Sequence, residues 1–188
     1  MIIIITMLGR WLINAAGASV LTCGRSADEL SACLNEWRSR GFDVSTCVAD
    51  VSTEEGRGVL VQEAGILFGD RLHCLVNNVG FNIRKKVVDY SNDEYRRIMS
   101  TNLDSAFALC TALHGMLKKK DMSSTEEEGG ASSVVNIGSV AGTCIGYWLY
   151  LCLIQYLLHT KCYVRTVLIL IHSSYCLQAE TMLRSAVG

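Results

Sequence analysis

Three places in the 188-residue chain carry side chains whose type and position could do chemistry. The first is Asn77-Asn78-Val79-Gly80, where two amides and a glycine end the apolar run Leu72 to Val76. Asn77 and Asn78 would offer amides to a ligand edge, and Gly80 would let the backbone approach without a Cβ in the way. The plain alternative is a turn, for which this stretch is also suited. The second is Asn102, which interrupts the apolar helical stripe Tyr95, Ile98, Met99, Leu103, Ala106, Phe107, Cys110 and Leu117. A buried amide is costly unless its hydrogen bonds are met, so Asn102 is either held by its neighbours or placed for a ligand or water. The third is Ser139, at the end of the apolar run that begins at Val134. A nucleophile elbow would need glycine two residues to either side, and Ile137 fills the first of those positions.

Metal and disulfide chemistry are not expected. The nine cysteines are never closer than eight residues apart, their number is odd, and no Cys-x-x-Cys occurs. They read as small buried hydrophobes of a reducing compartment, which favours the cytoplasm. Net charge is −1 and half the residues are apolar, so nucleic acid and anionic membrane are not expected partners. Met1 to Met7 is too short to span a bilayer and lacks the pattern of a secretory signal, and Cys144 to Leu158, fifteen residues without a charge, falls short of a span. It reads as a helix docking on the sheet.

The elements that must position these residues alternate. Ile2–Ile5, Ala18–Cys23, Phe42–Val48, Leu72–Asn77 and Val134–Ser139 read as buried strands. Between them lie helices with start signals at Ser26 with Glu29, at Ser52 or Thr53, and at Ser91 with Glu94, the last opening the longest helix, through Leu117. Lys118 to Gly130 has the composition of a solvated loop, and a further apolar run covers Val167 to Ile171. Strand-helix alternation implies right-handed crossovers and a parallel sheet: one α/β domain, doubly wound, in three layers.

Taken together, Thr22-Cys23-Gly24-Arg25, Glu36-Trp37-Arg38-Ser39, Gly41-Phe42, Asp50-Val51-Ser52, Leu75 to Gly80, Thr101-Asn102-Leu103 and Val135 to Ser139 make the chain resemble the short-chain dehydrogenase/reductases, most closely the plant tropinone reductase-like group, from Gly17 to Gly142. The resemblance implies a Rossmann-like sheet and an NADP(H)-dependent oxidoreductase that moves hydride between the nicotinamide and a small ketone or alcohol, and it allows a homo-oligomer. It implies that Arg25 holds the ribose 2′-phosphate, that Asp50 and Val51 contact the adenine, and that Asn78, Val79 and Gly80 line the adenine ribose. Asn102 matches an asparagine that holds a water for proton relay, and Ser139 the serine that hydrogen-bonds the substrate carbonyl.

Residues 1–16 and 143–188 depart from that pattern. The family's Gly-rich turn is not in the sequence. Its Tyr-x-x-x-Lys is missing too: of Tyr147, Tyr150 and Tyr156 none has Lys four residues on, and Lys161 stands five beyond Tyr156. Five residues turn a helix by about 500° against about 400° for four, which separates the two faces. The expectation is a truncated or alternatively spliced form whose sheet is incomplete at both ends, with an exposed edge beside Val134–Ile137 unless the tail covers it. Its alternative function is that of an inactive homologue acting as a binding or scaffold protein.

Overall fold

A computed structural model of the chain describes residues 2–5, 18–83, 85–118, 132–139 and 165–171. Gly9 and Gly17, the Gly-rich-turn region, the loop from 119 to 131, the run Cys144 to Leu158, and Tyr147, Tyr150, Tyr156 and Lys161 lie outside the described residues.

Six strands, β1 (Ile2–Ile5), β2 (Val20–Gly24), β3 (Val44–Val48), β4 (Cys74–Asn77), β5 (Ser133–Ser139) and β6 (Arg165–Ile171), form one sheet in the order β3-β2-β1-β4-β5-β6. Every neighbouring pair is parallel. The order reverses between β1 and β4, the point at which ligands bind in open sheets of this kind. The tail does cover β5: the run noted as Val167 to Ile171 is the body of β6, in register from Ser133↔Arg165 to Ser139↔Ile171. The sheet thus takes a strand from each of the two ends that depart from the family pattern.

Burial on both faces follows the alternation of side chains along the strands. Leu21, Cys23, Cys47, Leu75 and Val134 join one cluster, under Leu60 and Ala64 of helix α2 (Glu54–Phe68) and Leu109 and Cys110 of helix α4 (Ser105–Ala112). Val20, Val44, Cys74, Val76 and Val135 join the other, around Trp37 of helix α1 (Ala27–Ser39). The buried thiols behave as apolar groups, with burial pushing Cys23 up to about 12 and Cys47, Cys74 and Cys110 up to about 11.

Helix starts follow the capping signals. The Ser26 hydroxyl accepts from the Glu29 N–H, Thr53 accepts from the Gly56 N–H, and Ser91 and Glu94 exchange both bonds of a capping box at helix α3 (Asn92–Met99). The expected single helix through Leu117 is corrected to three, since α3 runs into a π turn (Ser100–Asp104) before α4, and α5 (His114–Lys118) follows. Two positions of the expected buried stripe are exposed instead, Tyr95 by 58% and Phe107 by 46%.

Glycine decides one contact. A Cβ at Gly56 would lie 2.0 Å from the Asp50 carbonyl oxygen, whereas one at Gly58, on the same helix, would meet nothing within 4 Å. Gly56→Ala is expected to lower stability by about 1–3 kcal/mol as α2 is pushed off the β3 loop, and Gly58→Ala to raise it by about 0.5–1 kcal/mol. Denaturant titration of both variants checks this, and equal effects of the two would contradict the packing.

Candidate functional site

The carboxyl ends of β2, β3 and β4 lie at one edge of the sheet, with β1 between β2 and β4. Gly24 ends β2, and Arg25 follows it, exposed. Past β3 the chain turns through Asp50, whose Oδ1 accepts from the Ser52 hydroxyl at 2.7 Å and the Ser52 N–H at 3.0 Å. The Ser52 hydroxyl bond does most to lower the Asp50 carboxyl below its ordinary range, against an opposing effect of burial; the charges of Arg25 and Arg97 act in the same lowering direction. Arg25 and Asp50 therefore stand beyond the ends of two adjacent, paired strands. Val51 is 3% exposed and packed in the core, and its carbonyl accepts from Arg57 Nη1 at 2.9 Å. The Val51 side chain is thus turned inward, which leaves its backbone for the expected adenine contact.

The end of β4 divides its polar residues between interior and edge. Asn77 is not a ligand amide as first read. It is buried opposite Asn136 of β5, its Nδ2 donating to Asn136 Oδ1 at 2.9 Å with Cys110 Sγ at 3.5 Å. Asn78 and Val79 are half-buried, Val79 packing against the core cluster, while Gly80 is exposed. A Cβ at Gly80 would sit 3.6 Å from Asn102 Oδ1, an ordinary contact, so the fold itself has room for a side chain there. With glycine, that room stays open to a ligand.

Asn102 is held by its neighbours. Its Oδ1 accepts from the Phe81 N–H at 3.0 Å and its Nδ2 donates to the Phe81 carbonyl at 2.9 Å, a two-bond clasp on one residue's backbone. The clasp joins the π turn to the loop that leaves β4. π turns of this kind interrupt helices at functional positions more often than elsewhere. Ser139 closes β5 at the same edge of the sheet as Asn77, though its side chain lies outside the described residues. Phe81 and Arg97 were not singled out from the sequence. Arg97 stands in the charged stretch Asp93 to Arg97, where nothing distinguishes it from Arg96, and Phe81 gave no signal beyond following Gly80.

The donor set fits the adenosine half of a nicotinamide dinucleotide: a guanidinium beyond β2, a carboxylate beyond β3 and an uncrowded glycine beyond β4. Among the described residues no group of three or more His, Cys, Asp or Glu could hold a metal, and no helix is long and apolar enough to cross a membrane.

Comparison with known proteins gives the site a context. The family described as short chain dehydrogenase matches residues 12–150. A tropinone reductase homolog of Arabidopsis thaliana is 48% identical over 126 residues, covering 67% of this chain and 44% of that protein. A tropinone reductase homolog of Datura stramonium is 36% identical over 121 residues, covering 64% and 45%. The chain thus spans less than half the length of these relatives. Among solved structures, a Pseudomonas aeruginosa RhlG/NADP active-site complex is 30% identical with a TM-score of 0.62, covering 75% of this chain and 55% of that one. A metagenomic short-chain oxidoreductase in complex with NADP shares the fold over 100% of this chain and 90% of its own, with a TM-score of 0.78 at 17% identity.

Removing the clasp should loosen the loop that carries Gly80. Asn102→Ala is expected to cost about 1–3 kcal/mol, as the Phe81 N–H and carbonyl lose their partner, and to speed hydrogen exchange at the Phe81 amide. Unchanged exchange at Phe81 in that variant would show that Asn102 does not hold the loop.

Proposed function

Because the chain belongs to the short-chain dehydrogenase family, we propose that its site binds NADP(H) and serves hydride transfer between the nicotinamide and a small ketone or alcohol, in the manner of the tropinone reductase-like group. The observation that carries this reading is the convergence of Arg25, Asp50 and the Asn78–Gly80 stretch on one edge of a sheet ordered β3-β2-β1-β4-β5-β6. Bound there, the cofactor supplies the hydride, and the residues of this chain bind and orient it.

Arg25 is the 2′-phosphate residue in this reading. A guanidinium makes paired, charge-assisted hydrogen bonds to phosphate oxygens, and an exposed one beyond β2 can swing to meet them. The NADP found in two of the solved relatives supports the choice of the phosphorylated cofactor. Asp50 accepts from the adenine amine, with the Ser52 bonds keeping it ionised and oriented, and the Val51 backbone N–H and Asn78 to Gly80 complete the adenosine wall. Ser139 is assigned to the substrate carbonyl. Asn102 is assigned to a relay water through its backbone in the π turn, since its side-chain amide is engaged at Phe81. The sequence has no Tyr with Lys four residues on, so no side chain of this chain is assigned the proton-donor role. The free cysteines among the described residues, buried except for the half-buried Cys33, fit a cytoplasmic setting, and a homo-oligomer is the assembly proposed with it.

Fluorescence titration with NADPH and NADH tests the cofactor reading. The chain is expected to prefer NADPH, and Arg25→Asp to remove that preference by weakening NADPH about ten-fold or more, the size of a lost hydrogen bond to a charged group. Equal affinity for the two cofactors before substitution, or a preference that survives it, would contradict the role of Arg25.

A further inference from the structure

Arg97 projects from α3, an element that the cofactor reading has not used. Its guanidinium carbon stands 5.1 Å from the centroid of the Phe81 ring, a stacking distance for a cation on an aromatic face. Phe81 directly follows Gly80, and its backbone is clasped by Asn102, so the platform on which Arg97 rests is tied to the ribose-lining stretch. The other ionic groups around α3 are engaged with one another: Arg96 meets Asp93 at 3.6 Å, and Lys85 pairs with Glu94. Arg97 has no ion pair among the described residues. Its charge acts on the Asp50 carboxyl in the same lowering direction as that of Arg25, after the larger effect of the Ser52 hydroxyl.

Charge balance gives this arrangement a consequence. Arg25 and Asp50 by themselves would be electrically neutral, and an ionised carboxylate would oppose the approach of an additional phosphate. With Arg97 the trio keeps one positive charge. Resting on the NADP(H) reading, we infer that Arg97 is a second cation for the anionic adenosine end of the cofactor, acting with Arg25 to favour a ligand that carries a 2′-phosphate. It stands on the α3 side, over the Phe81 ring, while Arg25 follows β2.

Isothermal titration of the full chain with adenosine 2′,5′-bisphosphate and with adenosine 5′-monophosphate tests this without relying on turnover. Arg97→Gln is expected to weaken the bisphosphate about five-fold, the size of an exposed charge interaction, to leave the monophosphate unchanged, and to reduce the salt dependence of bisphosphate binding. Arg97→Lys, which keeps the charge, should retain most of the discrimination. Equal weakening of both ligands by Arg97→Gln, or no weakening of either, would overturn the inference. Arg25→Asp in parallel separates the two readings. If it abolishes discrimination while Arg97→Gln does not, Arg97 alone loses its role; if neither does, the NADP(H) reading fails with it.

Discussion

The structure depends on one constraint: its strands lie between apolar layers, and a buried backbone must find its hydrogen bonds in the sheet itself. Val20, Val44, Cys74, Val76 and Val135 feed one layer, and Leu21, Cys23, Cys47, Leu75 and Val134 the other. Parallel pairing satisfies the backbone, and crossovers through α1 and α2 bring β3 and β4 back in the same direction as β2. A polar side chain held inside finds a partner there, as the Asn77 Nδ2 does in Asn136, and others stand at the strand ends. Arg25, Asp50 and Gly80 share one edge for that reason, although 55 residues separate the first from the last.

Much of this was legible in the residues. Ile2–Ile5 reads as a strand because a β-branched run has little other use, and Ser26, Thr53 and Ser91 announce their helices because a hydroxyl at an N-cap has a specific bond to make. What was hidden depended on contacts distant in sequence. Apart from Asn102 the apolar period runs on across Ser100–Asp104, so the π turn cannot be read from it; the clasp between Asn102 and Phe81 spans 21 residues. The inward turn of Asn77 is a matter of register, since a run apolar on both faces does not say which amide points inside. The pairing of Val167–Ile171 with β5 is equally non-local, and the apolar composition that suggested an element could not say where it docks.

The site inherits its character from the same layering. Asp50 sits where β3 leaves the core, anchored by Ser52, while its neighbour Val51 is held inside at 3% exposure. One residue stays partly exposed while the next is committed to packing. At β4 the division is similar: Asn77 stabilises the interior between strands, and Gly80 leaves space at the surface that the fold could have filled. Around these, the charges of Arg25, which follows β2, and Arg97 of α3 both act to lower the Asp50 carboxyl.

The central claim is that the carboxyl edge of this sheet is where the cofactor binds. Backbone hydrogen exchange of the full chain, with and without saturating NADP, reads it residue by residue. The account predicts added protection at Gly24 and Arg25, at Asp50 to Ser52 and at Asn78 to Phe81, with none at Arg71 to His73 or Ser132 at the opposite edge. Protection spread evenly over both edges, or confined to the opposite one, would contradict it.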